Sequence, residues 1–169
     1  MRLVDLTHST THRTTAASPI TVVVRSVDPI HLVPLDKLVT LATVVELRHR
    51  ADPLAITRAD VAGTGVADIA GCILRSGWSD AYLAGIPTEP PKLDIGAAAY
   101  LLEGGVSVVA ADFPIAGPAE DMLLHNNCVL VHCLSNLREL RKGVVRLIAL
   151  PLKFEDTFSA EARVIAVEE

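Results

Sequence analysis

The chain has 169 residues, half of them hydrophobic and 21% charged, with a formal net charge of −5. That length suits one domain with a sizeable core, expected to span residues 1–169. The acidic balance argues against nucleic acid, whose phosphates reward clustered Lys and Arg, and three Phe, two Tyr and one Trp are too scattered for a base-stacking platform.

No apolar run reaches the roughly 18 residues of a membrane span. The opening MRLVDLTHSTTHRTT has no apolar signal core, so a cytoplasmic protein is expected. A mean hydropathy of +0.41 is high for such a chain. It implies surface buried in a homodimer or larger homo-oligomer. Cys72, Cys128 and Cys133 lie in apolar surroundings without C-x-x-C spacing, which fits ordinary core cysteines in a reducing compartment.

In chain order, β-branched runs predict strands at 2–7, 20–27, 42–47, 72–76, 106–112, 128–134, 144–150 and 162–167. Helix signals alternate with them. Thr57 and Asp60 read as a capping box. Asp94 caps IGAAAYLLE, which Gly104–Gly105 stops. Pro118 opens PAEDMLLH, with Glu120 and Asp121 in its first turn. Ser135 is positioned to cap NLRELRK before Gly143. PTEPPK, with three prolines, is a rigid loop. Alternation of this kind gives a mixed α/β domain.

The segments LATVVELR (41–48), CILRSGWSDAYL (72–83), AAAYLLEGGVSVVAADFP (97–114), CVLVHCLSNLREL (128–140), IALPLKF (148–154) and ARVIA (162–166) resemble the cyclase family that includes bacterial kynurenine formamidase and isatin hydrolase. The resemblance implies a single-domain swivelling β/β/α fold, a mixed barrel-like sheet with a few outer helices. It also implies pairing into dimers or larger oligomers.

It further implies a divalent metal, zinc or manganese, held by H-x-G-T-H-x-D with a His and a Glu further along, and a P-x-H that supplies a catalytic His. That signature is missing or degenerate here. One alignment deletes the block carrying it before PLDKLV (34–39). A second reads DPIH (28–31) as a contracted remnant, keeping Asp28 and His31 while Val22 and Ser26 replace the ligand histidines. A third takes HSTTHRT (8–14) as the motif itself, with Thr10 and Thr14 replacing its Gly and Asp. Downstream, Glu120 falls where a His is usual and His132 where the Glu is usual. Both types still ligate metals, but two ligands seldom make a tight site.

The same residues have simpler readings. His132 shares a strand face with Cys128, Leu130 and Leu134 under period-2 alternation, where a His is ordinarily a hydrogen-bonded core residue. Glu120 suits the dipole of a first helical turn. Asp28–Pro29 and His31 suit a turn. His8 and His12 have the i, i+4 spacing of a metal pair only in a helix, which the surrounding threonines disfavour. Trp78, in an R-S-G-W turn, either packs or lines a pocket.

These observations give an expected enzyme of cyclase or lyase type, working without metal or other cofactor on a small organic substrate, in a biosynthetic setting. Cyclisation, dehydration or isomerisation suits such a pocket, with His31 and His132 as acid or base, Asp28 and Glu120 as orienting carboxylates and Trp78 as a wall. The alternatives are a metal-dependent hydrolase of a cyclic amide, formamide or lactone, with a site rebuilt from His8, His12, Glu120 and His132, and a non-catalytic relative that binds a ligand or partner.

Overall fold

The computed structural model describes residues 1–8, 21–50, 52, 54–66 and 69–169. In chain order its elements are β1 (Arg2–Asp5), β2 (Val23–Arg25), α1 (Leu35–Leu38), β3 (Val39–Glu46), β4 (Ala55–Ile56), α2 (Arg58–Val61), β5 (Gly71–Arg75), α3 (Trp78–Leu83), β6 (Lys92–Leu93), α4 (Ile95–Glu103), β7 (Val108–Ala111), α5 (Pro118–His125), β8 (Val129–His132), β9 (Val144–Pro151) and β10 (Ser159–Glu168).

The main sheet runs β1-β10-β2-β8-β7-β5-β3-β9, and β9 also pairs with β10. That pairing closes seven strands into a barrel-like ring, with β1 along the outer edge of β10. Residues 159–161 of β10 pair with β2, and residues 162–167 pair with β9. The ring is mixed. β3, β5, β7 and β8 are mutually parallel, and the rest of the pairing is antiparallel.

Parallel strands need cover on both faces, and these have it. Val108, Ala110, Val129 and Val131 join the cluster that fills the ring. Their neighbours Val109, Ala111 and Leu130 face outward onto Ala97, Leu101, Ala119 and Leu123 of α4 and α5. This explains why β7 and the first three residues of β8 read as unbroken apolar runs. Gly71 is needed where β5 starts against β3, because a Cβ there would meet the Leu41 carbonyl oxygen at 2.7 Å.

The caps at Asp94 and Thr57–Asp60 form. The Asp94 carboxylate accepts from Ala97 N at 2.6 Å, and the Asp60 carboxylate accepts from Thr57 N at 2.7 Å. The helix predicted after Ser135 does not form. Asn136 takes a left-handed conformation (φ 57°), its amide donates to the Asp5 carbonyl, and only a 3-10 turn at Leu137–Glu139 follows. Ser135 is buried with its hydroxyl unpartnered, so it caps nothing. Conversely, α3 was hidden by the R-S-G-W turn, and α1 by its brevity. No helix among the described residues is long and apolar enough to cross a membrane.

Candidate functional site

The parallel strands end together, and their carboxyl ends carry Glu46, Arg75, Asp112 and His132 on or just beyond β3, β5, β7 and β8. This is the edge where open α/β sheets place ligands.

His132 is the last residue of β8 and only 8% exposed. It lies on the outer face with Cys128 and Leu130, as alternation predicts. Leu134 does not share that face. Cys133 has φ +60°, which breaks the alternation and sends Leu134 into the ring. The backbone N–H of Ile115 donates to His132 Nδ1 at 3.0 Å. With that lone pair engaged, the neutral ring carries its proton on Nε2. Nε2 is buried and has no partner in the described structure. Burial first, and the Arg25 cation second, push the imidazole down to about 4, so the ring is neutral at pH 7.

Glu120 and His132 line the same hollow of about 290 Å³, together with Arg25, Ile115 and Cys133. Glu120 sits in the first turn of α5, and its carboxylate accepts from the Arg25 guanidinium at 2.7 Å. Register puts Arg25 there: β2 pairs Val23 with His132 and Arg25 with Leu130, so Arg25 and His132 stand on one face.

The other expected site residues lie elsewhere. Because β2 and β8 are antiparallel, the chain leaving Arg25 runs away from His132, toward Cys128. At about 3.3 Å per residue, Asp28 stands up to roughly 16 Å along from Val23. Lys37, a little further on, donates to the Asn127 carbonyl, which confirms the direction. Asp28 is exposed, and His31 sits in a 3-10 turn with its Nδ1 buried and unpartnered. Neither lines the His132 hollow.

Trp78 starts α3, stacks near Tyr82 at 5.1 Å and donates through Nε1 to the Thr88 carbonyl. It does wall a hollow, of about 230 Å³, but that one is lined by Arg48, Arg50 and Glu89. This recess is separate from the His132 hollow.

Asp112 escaped sequence reasoning, although its signal was a carboxylate ending the apolar run VSVVAAD. It is 1% exposed and accepts from Ser76 N, Ser76 Oγ and Gly77 N at 2.7–2.9 Å. Burial raises its carboxyl against those hydrogen bonds. Gly77 has φ +84°, and a Cβ there would stand 3.2 Å from Arg48 Cγ, so Asp112 clamps a turn that only glycine fits.

His8 is also buried, 9% exposed, and donates through Nε2 to the Cys133 carbonyl at 2.8 Å. Burial lowers its imidazole against that hydrogen bond. His12 lies outside the described residues. Cys72 and Cys128 are core residues as expected, and Cys133 is half-buried at the hollow.

As they stand, His132 and Glu120 are not set to hold the divalent ion implied by the resemblance. A ligating imidazole gives its lone pair to the metal and donates its other N–H to an acceptor. His132 is wired the opposite way, and the Glu120 carboxylate is already held by a cation. No group of three His, Cys, Asp or Glu among the described residues is arranged to hold a metal ion.

Fold and site together define an α/β scaffold, a closed mixed ring with a histidine and a carboxylate beside its parallel strand ends. A family model described as a putative cyclase matches residues 4–116, more than half of the chain. The chain belongs to the putative cyclase family.

Among solved structures, it is similar to a predicted metal-dependent hydrolase from Bacillus stearothermophilus, with TM-score 0.79 and 20% identity over 98% of this chain and 97% of that one. It is similar to isatin hydrolase A from Labrenzia aggregata bound to benzyl benzoate, with TM-score 0.78 and 18% identity over 99% and 94%. Isatin hydrolase A from Ralstonia solanacearum aligns with TM-score 0.70 and 17% identity over 99% and 92%. At such identities the likeness concerns the fold. No curated protein matches the sequence.

Proposed function

We propose that this protein is a metal-independent cyclase-family enzyme that cyclises, dehydrates or isomerises a small carbonyl compound. The observation that carries the reading is the unpartnered Nε2–H of His132 in the wall of a hollow that also holds Glu120 and Arg25. An unmet buried donor costs about 1–3 kcal/mol, so a donor left unmet at a hollow is a place for a ligand acceptor to bind.

A neutral imidazole fixed as a donor suits a carbonyl oxygen on which negative charge grows in the transition state. Its depressed pKa keeps it from charging, so it donates a hydrogen bond across the working pH range. The Glu120–Arg25 pair sets the polarity of the mouth, offering a carboxylate edge and a half-exposed cation to orient a substrate. Asp28 and His31 have no part in this version of the site, and Trp78 belongs to the neighbouring recess.

Two measurements test the proposal: elemental analysis, and turnover of a panel of lactones, lactams and hydroxy ketones before and after chelation. Activity that survives chelator and falls about a hundredfold in His132→Ala supports it. Stoichiometric zinc or manganese, whose removal abolishes turnover, overturns it in favour of a metal-dependent hydrolase. That second reading is favoured by the fold's likeness to proteins named as hydrolases.

A further inference from the structure

His8 and His132 are both tied to Cys133, one through space and one through the chain. His8 donates its Nε2–H to the Cys133 carbonyl, and His132 is the residue before Cys133 in the chain. A carbonyl oxygen accepts only, so this hydrogen bond puts the His8 proton on Nε2. The His8 ring is left with a lone pair on Nδ1, and nothing in the described structure occupies it. His132 has the complementary arrangement, its Nδ1 lone pair taken by Ile115 and its Nε2–H left over. Both rings are therefore the same tautomer, but the backbone uses up opposite ends of them. One offers an acceptor and the other a donor.

The hollows that the two rings line also share a wall residue. His8 lines a hollow of about 350 Å³ with Thr7, Thr21 and Arg163, and Thr21 also lines the His132 hollow. The left-handed φ of Cys133 turns the peptide that separates the rings. A non-glycine residue in that conformation is sparsely populated and is kept where the surroundings demand it.

We propose that His8 Nδ1 is the general base of the site and His132 Nε2–H its oxyanion donor, acting on a carbonyl compound that spans the join at Thr21. This rests on the function proposed above and supplies the proton acceptor that it lacked. The substrate C–H bond beside the carbonyl breaks, and its proton passes to His8 Nδ1. The electron pair moves onto the carbonyl oxygen, which His132 holds by hydrogen bond without giving up its own proton. The His8 imidazolium then returns the proton to a carbon of the same molecule, for a net shift, or to a leaving hydroxyl, for a net dehydration. No oxidant or reductant is needed.

The test uses the full chain and 2-indanone, a ketone with an unusually acidic C–H, followed by proton NMR in D2O. The variants are His8→Gln, His8→Ala and His132→Ala. Gln keeps an N–H for the Cys133 carbonyl but has no basic nitrogen, so a purely structural role would be rescued by it. Wild-type protein is expected to accelerate deuterium exchange, with the rate rising with pH through His8 deprotonation. His8→Gln is expected to lose about a hundredfold and its pH dependence, as removal of a general base does.

If His8→Gln exchanges as fast as wild type while His132→Ala is impaired, the His8 proposal falls and the functional reading stands. If wild type gives no acceleration, or His132→Ala is unimpaired, the functional reading falls. Independently, nitrogen-15 spectra of histidine-labelled protein at pH 7 should show the His8 ring protonated on Nε2 alone, and protonation on Nδ1 overturns the proposal whatever the kinetics.

Discussion

The Ile115 N–H donates to His132 Nδ1 at 3.0 Å, and this one backbone hydrogen bond decides what the histidine can do. It fixes the tautomer, converts a possible metal ligand or base into a hydrogen-bond donor, and leaves Nε2–H as the polar edge without a partner.

A buried neutral His makes stability depend on pH. The His132 imidazole is held at about 4 in the folded chain against an ordinary value of 6.5. Above pH 6.5 both states are neutral and nothing is lost. Between 6.5 and 4 the unfolded chain takes up the proton that the folded one refuses, so stability falls with pH and levels off below 4. At 1.36 kcal/mol per unit the full loss is about 3 kcal/mol, with about 2 kcal/mol already gone at pH 5. Urea unfolding at pH 7 and pH 5 measures it, and a His132→Phe chain should lose that part of the slope.

Arg25 is the second cause of the depression. In Arg25→Met the cation is gone, so the His132 pKa should rise. An NMR titration reads the shift directly. An unchanged value would mean that burial alone governs the ring.

Asp112→Asn should destabilise by about 2–4 kcal/mol, because one accepting oxygen becomes an amide that faces a backbone N–H. The turn it clamps leads straight into Trp78. Loss of near-ultraviolet dichroism from that indole should accompany the lower urea midpoint.

Glu168 ties the chain ends together. Its carboxylate accepts from Arg2 at 2.8 Å, from Arg141 N at 2.5 Å and from Lys142 N at 2.9 Å. The Arg2 hydrogen bond leads in holding it at about 2, with the two backbone donors adding to it against burial. Its contribution is fully present above pH 4.5 and lost as pH falls toward 2. Glu168→Ala should cost about 1–3 kcal/mol at pH 7 and flatten the acid limb of the unfolding curve.

The sequence determined what short-range chemistry controls. Alternation and apolar runs placed the strands of the ring, Asp94 and Thr57–Asp60 marked real helix starts, and ordered motifs identified the family. Glu120 and His132, twelve positions apart, were matched to the family pattern and do meet at one hollow.

The tertiary structure decided everything that depends on direction and partner. Antiparallel pairing of β2 with β8 carries Asp28 and His31 away from His132, and spacing along a chain holds no information about that sense. The left-handed Cys133 moved Leu134 to the other face, and no residue-level propensity marks a cysteine for that conformation. The chemistry of His132 and His8 was fixed by an N–H from residue 115 and a carbonyl from residue 133. Backbone groups are identical at every position, so only the fold determines which of them reaches a given ring.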